Sequence, residues 1–193
     1  MTERNAVGDL VLTSARAMRA LASSEALALH DALRGAGPVT AEQLAPQLGS
    51  SAAAVAARLE ALADVGLAER VESVDGSATR WAAIGRGFVF EIPDDPEGQT
   101  AARELSNAML LRYVDLPRTW VEEVEPQLPL AWARASGLLN ARFLATPQEA
   151  RDIQQELERV LEPYLTREPA PDGAAHVRIL AYFMPETGDS SRS

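Results

Sequence analysis

The chain has 193 residues, 47% of them hydrophobic and 24% charged, so it can bury a core and has the composition of an ordinary globular protein. It contains no cysteine and two histidines, which excludes a disulfide framework, a thiol nucleophile, a thiolate metal site and a histidine-rich metal centre. Its formal charge of -10 opposes bulk attraction to nucleic acid, anionic membranes or acidic substrates, so any DNA contact must come from a local patch.

Every basic side chain is arginine, and the charge is uneven: residues 1–88 hold 8 arginines against 10 acids, residues 89–193 hold 10 against 18. The start, Met1 to Gly8, is polar and lacks the apolar stretch of a signal peptide, and no apolar run approaches the roughly 18 residues of a spanning helix. The expectation is a cytoplasmic protein without membrane contact.

In chain order, residues 1–7 are expected to be flexible. Leu10, Leu12, Ala15, Ala17, Met18 and Leu21 recur at helical spacing and predict a first helix from Asp9 to Leu21. Ser23 or Ser24 caps a second, which carries Leu27, Leu29, Ala32 and Leu33 until Gly35, Gly37 and Pro38 stop it. Thr40-Ala41-Glu42-Gln43 is a capping-box pattern for a short third helix ending at Leu48-Gly49, with Pro46 expected to kink it. Ser50 or Ser51 caps a fourth, running to about Val65 and burying Val55, Leu59 and Leu62.

Leu67 to Ser73 alternates apolar and polar residues, Asp75-Gly76 signals a hairpin turn, and Ala78 to Ile84 can return antiparallel. Four helices, a glycine-containing turn before the fourth, and a hairpin predict a winged helix-turn-helix over 8–88. The acidic, proline-containing stretch 89–99 reads as a linker.

A second region is expected over 100–185. Thr100 to Tyr113 is helical, Pro117 breaks or kinks it, and Thr119 to Val124 resumes before Pro126 and Pro129. Leu138 to Ala145 has strand character. Thr146-Pro147-Gln148-Glu149 opens a helix over 147–165 with the stripe Ile153, Leu157, Val160, Leu161 and Tyr164. His176 to Met184 is expected to pair with the earlier strand, and 186–193 to form a disordered tail. The fold class is thus mainly α with small β: the winged domain followed by an α+β dimerisation or effector region.

In a winged helix-turn-helix the last helix lies in the major groove and the wing straddles phosphates. The candidate DNA contacts are Thr40, Ser50, Ser51, Ala54, Ala57 and Arg58, with Arg70 and Arg80 on the wing strands. Arg58 is the charged donor among the early positions of the fourth helix.

Three stretches carry a family resemblance: Ala15-Arg16-Ala17-Met18-Arg19-Ala20-Leu21-Ala22, Gly37-Pro38-Val39-Thr40-Ala41-Glu42-Gln43-Leu44-Ala45, and Leu59-Glu60-Ala61-Leu62-Ala63-Asp64-Val65-Gly66-Leu67. With the 146–165 helix and the following Val-Arg-Ile-Leu, they resemble the ArsR-like winged-helix regulators of actinobacterial type that carry a C-terminal extension. The resemblance implies a dimeric transcription regulator in which an effector changes the spacing of two recognition helices. The chain departs from the family pattern at three places. Ser23-Ser24-Glu25-Ala26 stands where His-Pro-x-Arg commonly opens the second helix. Ala54, Ala56, Ala57 and Glu60 replace polar or basic groups on the fourth, and Pro46 enters the third. Alanine can touch only a thymine methyl.

Tyr113, Trp120, Trp132 and Phe143 are candidates for lining a small apolar or aromatic effector site, and the same rings would equally fill a small core or dimer interface. Arg112 and Arg142 could meet an acidic ligand or the nearby carboxylates. His30 is expected as a satisfied core or boundary histidine. Glu122, Glu123, Glu125, Asp94 and Asp95 lack a partnering base, nucleophile or metal ligand, and Gly85-Arg86-Gly87 does not continue into a dinucleotide loop, so no enzyme, metal or cofactor is expected.

The leading expectation is a homodimeric regulator that binds double-stranded DNA, pairs its first helix and the 147–165 helix with their symmetry mates, and responds to a small organic effector. The alternative is a small-molecule or protein-binding module that keeps the fold without sequence-specific DNA binding. A basic stripe over Arg58, Arg70 and Arg80 would favour the first, a neutral or acidic face the second.

Overall fold

The computed structural model describes residues 3–5, 8–71, 78–165, 167 and 169–186. It divides into two compact units, Met1–Gly137 and Leu138–Ser193. Both are mainly helical or irregular, and all described strands lie in the first.

The first unit opens on β1 (Glu3–Arg4) and β2 (Leu10–Leu12), so residues expected to be flexible are in part a paired strand. The expected helix from Asp9 is also shorter. Leu10 and Leu12 are buried on one side of an extended segment, and helix begins only at α1 (Ala15–Leu21), where the Ser14 hydroxyl accepts from the Ala17 N–H. The leucines satisfy either period, and the cap at Ser14 together with pairing to a distant strand decides for extended chain.

Helix α2 (Ser24–Gly35) is capped by Ser23 as expected. Strand β3 (Val39–Thr40) leads into α3 (Ala41–Leu44), which stops before Pro46, so the proline kinks nothing. Helix α4 (Ala52–Ala63) follows a turn in which Gly49 has φ 56°, a left-handed conformation that favours glycine. Its buried residues are Val55, Leu59 and Leu62, the predicted set.

Strands β4 (Ala68–Val71) and β5 (Arg80–Ala83) pair antiparallel with Ala68 opposite Ala83 and Val71 opposite Arg80. The expected Asp75-Gly76 turn lies outside the described residues. β3 adds to the other edge of β5, giving the order β3-β5-β4. Strand β6 (Phe88–Phe90) joins a second sheet, β1-β2-β6, running parallel to β2 with Leu10 opposite Phe88.

The linker expected over 89–99 therefore starts in a strand and ends in a helix, α5 (Pro96–Tyr113), capped by the Asp95 carboxylate accepting from the Gly98 N–H. Gly98 is needed there: a Cβ would lie 2.5 Å from the Pro93 ring. Helix α5 turns Ala101, Ala102, Leu105 and Ala108 into the core, packing on α1 and α2. The first unit thus extends through α5 instead of ending at residue 88.

One core contains Met18, Leu21, Leu27, Leu33, Leu44, Leu59, Leu62, Leu67, Trp81 and Leu105, all nearly inaccessible to solvent. The chain then breaks at Val114–Asp115 and continues as α6 (Leu116–Thr119), a π-helical turn over 120–124 and a 3₁₀ turn over 125–127. Helix α7 (Leu130–Ala135), absent from the sequence expectation, closes the unit.

In the second unit the helix α8 (Pro147–Leu165) has the predicted bounds, and Thr146 caps it by accepting from the Glu149 N–H while Glu149 reaches back to the Thr146 N–H. The two expected strands are absent: residues 138–145 and 176–184 form no ladder. Their alternation puts apolar side chains on both faces, and Leu139 and Leu144 are 94% and 104% exposed, so no core face fixes a register. An ion pair, Arg142 Nη2 to Glu186 Oε2 at 2.6 Å, ties the first stretch to a residue just beyond the second. From 187 onward the expected tail lies outside the described residues. No described helix is long and apolar enough to cross a membrane.

Candidate functional site

The capped pair α3 and α4, with the hairpin β4–β5 behind it, forms the surface on which the predicted contacts fall. Ser51 fixes the start of α4 by accepting from the Ala54 N–H at 3.2 Å. With Val55, Leu59 and Leu62 buried, the opposite line of the helix, Ala53, Ala57 and Ala61, faces solvent. Ala54 lies half-buried beside this line, and Ser50 half-buried just before the helix. The sequence reading missed Ala53 and Ala61, although their spacing of four residues from Ala57 gives the same face.

Three of the remaining predicted contacts, Thr40, Arg70 and Arg80, are engaged within the chain. Thr40 closes the capping box: its hydroxyl accepts from the Gln43 backbone N–H, and the Gln43 side-chain Oε1 accepts from the Thr40 N–H at 2.9 Å. Arg70 is ion-paired with Glu60 and lies over the Trp81 ring, 5.4 Å from its centre. Arg80 donates through Nε to the Pro38 carbonyl at 3.0 Å, which fixes its side chain, and among the described residues no carboxylate pairs with it. Arg58 leaves the Ala53–Ala57–Ala61 line and is half-buried in a groove against α2.

The expected basic stripe is therefore interrupted. Glu60, Asp64 and Glu69 stand on the same elements as Arg58 and Arg70, so the face is closer to neutral than basic. What it offers is a narrow, donor-poor helix edge able to approach a surface closely.

The groove beside Arg58 has a volume of about 840 Å³ and lies between α2, the α3–α4 turn, α4 and the end of α5. At its α5 side Arg112 donates to Asp31 Oδ2 through Nε at 3.1 Å and Nη2 at 2.9 Å, and the Tyr113 hydroxyl donates to the same oxygen at 3.0 Å. Burial, and next the charge of Asp31, push the Tyr113 hydroxyl above its ordinary range, which keeps it a donor.

The four aromatic effector candidates are divided between the two units. Tyr113, Trp120 and Trp132 are half-buried in the first unit, and Phe143 belongs to the second, 56% exposed. None of them lines this groove or the smaller cavity of about 260 Å³ at Thr13 and Glu91–Asp94. Their spacing in sequence held no information on which helix face each would take.

His30, buried as expected, packs edge-on to Phe88 with ring centres 5.3 Å apart. It is not the satisfied histidine expected: among the described residues neither ring nitrogen has a hydrogen-bond partner, and burial, helped by Arg34, lowers its pKa to about 4. Among the described residues no group of three or more histidines and carboxylates is placed to hold a metal ion. The sequence matches no family model and no curated protein.

Proposed function

We propose that the chain is a DNA-binding transcriptional regulator of the ArsR-like winged helix-turn-helix type, acting as a homodimer and controlled by a small organic effector. The observation that carries this reading is α4: capped at Ser51, buried on one side, and bare along Ala53, Ala57 and Ala61 on the other. A helix that ends a tight turn, precedes an antiparallel hairpin and keeps one edge uncovered has the form of a groove-reading element.

The alanine edge limits direct readout to thymine methyls, so discrimination comes mainly from DNA shape and affinity from phosphate contacts. Arg80 and the Ser50–Ser51 turn are the groups best placed for phosphates. Of the two helices expected to pair with symmetry mates, α1 spends its apolar residues on α5 of the same chain. The dimer contact is assigned to α8, which has no fully buried residue and carries the exposed stripe Ile153, Val160, Tyr164.

A second reading, a winged-helix module that no longer recognises DNA, is favoured by the nearly neutral face, on which Glu60 neutralises Arg70. Fluorescence anisotropy on the native upstream duplex and a scrambled one separates the two. Preference for the native duplex supports the regulator, and equal, negligible binding to both supports the module.

A further inference from the structure

We propose that the groove between α2, the α3–α4 turn and α5 binds a small organic carboxylate, held by Arg58. The inference rests on the reading of the chain as an effector-controlled regulator and moves the effector site away from the aromatic residues expected to form it.

Four charged side chains line the groove: Glu25, Asp31, Arg58 and Arg112. The two carboxylates are already supplied with donors. Asp31 is taken by Arg112 and Tyr113, and Glu25 accepts from its own backbone N–H and from the Ser23 hydroxyl. Arg112 has spent Nε and Nη2 on Asp31. Arg58 has no hydrogen bond or ion pair among the described residues, although it is close enough to Glu25 to stabilise that charge. The unspent capacity of the groove is therefore cationic, in a protein whose net charge is -10.

A guanidinium presents a planar fork that matches two oxygens of a carboxylate. The apolar part of the floor that faces solvent is Ala28, Ala32 and Leu48, lying over the buried Leu29 and Val55. The volume of about 840 Å³ lies in the range that takes a drug-sized molecule. A bare inorganic anion would leave that floor wet, whereas an acid with a hydrocarbon or aromatic body covers it. An occupant on Arg58 touches α4 and α2 together, and thereby sets the position of the exposed alanine edge relative to the rest of the unit.

The test is amide and arginine-side-chain NMR on the full chain without DNA, titrated to millimolar concentrations with benzoate, 4-hydroxybenzoate, indole-3-acetate and hexanoate. Benzyl alcohol and inorganic phosphate serve as the neutral and the bare-anion arms. At least one carboxylate should shift Gly49, Ser50 and the Arg58 Nε–H saturably, with benzyl alcohol inert and phosphate weaker. Arg58→Gln should weaken it about tenfold or more, the loss expected when a charge-assisted hydrogen bond is removed. Arg58→Lys should recover part of it, and Ala28→Phe should block the groove with Arg58 in place.

Absence of groove shifts with all four carboxylates overturns the proposal, as do shifts confined to the second unit or indifferent to Arg58→Gln. Phosphate binding as tightly as the organic acids overturns it in favour of a plain phosphate site. Because no DNA is present, carboxylate binding by a chain that ignores DNA would leave this site standing while the regulator reading falls.

Discussion

Arg70 on β4 is ion-paired with Glu60 on α4 and stacked over Trp81, so the hairpin and the exposed helix are joined by the cation expected to meet phosphate. Both side chains are substantially exposed, at 62% and 46%, and such a pair contributes about 0 to 1 kcal/mol to stability. Glu60→Gln should hardly change the melting temperature while freeing Arg70. Duplex affinity should rise, and the salt dependence should steepen by about one phosphate contact. Glu69→Gln, which removes an acid from the same hairpin without releasing an arginine, should do less. Equal effects of the two variants would mean that only net charge matters.

Burial holds His30 neutral in the folded chain with a pKa of about 4, below the roughly 6.5 of an exposed histidine. The neutral form is favoured by folding, so this contribution is complete above about pH 6.5 and is lost as pH falls toward 4. Over that interval the loss is about 3 kcal/mol. Urea unfolding at pH 7 and pH 5 should show wild type losing stability on acidification, and His30→Leu should flatten that dependence. At pH 7 His30→Leu should be neutral or stabilising, since it also removes two buried nitrogens without partners. An undiminished slope in the variant would place the acid sensitivity elsewhere.

How much of this was legible in sequence depends on whether the deciding contact was local. Ser23, Thr40, Ser51 and Thr146 announce their helices because a cap is settled within four residues. Leu10 and Leu12 fit a helical stripe as well as a strand, and the partner that decides between them, Phe88–Phe90, lies far along the chain. Alternation in 138–145 was read as a strand, but apolar residues on both faces specify no pairing. At the candidate site the fourth helix and its buried face were readable. That Arg58 faces α2, or that Arg70 is spent on Glu60, depends on tertiary placement that no spacing encodes.

Asp31 holds Arg112 and Tyr113 together, and both members of the ion pair are about three-quarters buried, with side chains 27% and 25% exposed. Asp31→Asn should cost about 1 to 3 kcal/mol in chemical denaturation, the value of a hydrogen-bonded charge. Removing that negative charge should also lower the Tyr113 hydroxyl toward the ordinary range, visible by ultraviolet titration of the phenols. An unchanged titration would detach Tyr113 from Asp31.

The division at Gly137 predicts which fragments fold. A fragment ending at 137 keeps α5 and its Leu105 in the core and should unfold cooperatively. One ending at 88, the boundary suggested by sequence, bares the faces of α1 and α2 that α5 covers and should be unfolded or molten by circular dichroism and amide dispersion. A cooperative transition in the shorter fragment would show that α5 is an accessory.

The account stands or falls on whether the bare edge of α4 meets DNA. The most direct measurement is anisotropy titration of the full chain against its native upstream duplex and a scrambled duplex at about 50 and 200 mM salt, where phosphate contacts are weakened. Binding to the native duplex should be tighter, weaken as salt rises, and be lost when Ala57→Glu places a carboxylate on the exposed edge. Binding that is absent, or that ignores both sequence and the Ala57→Glu change, would contradict the account.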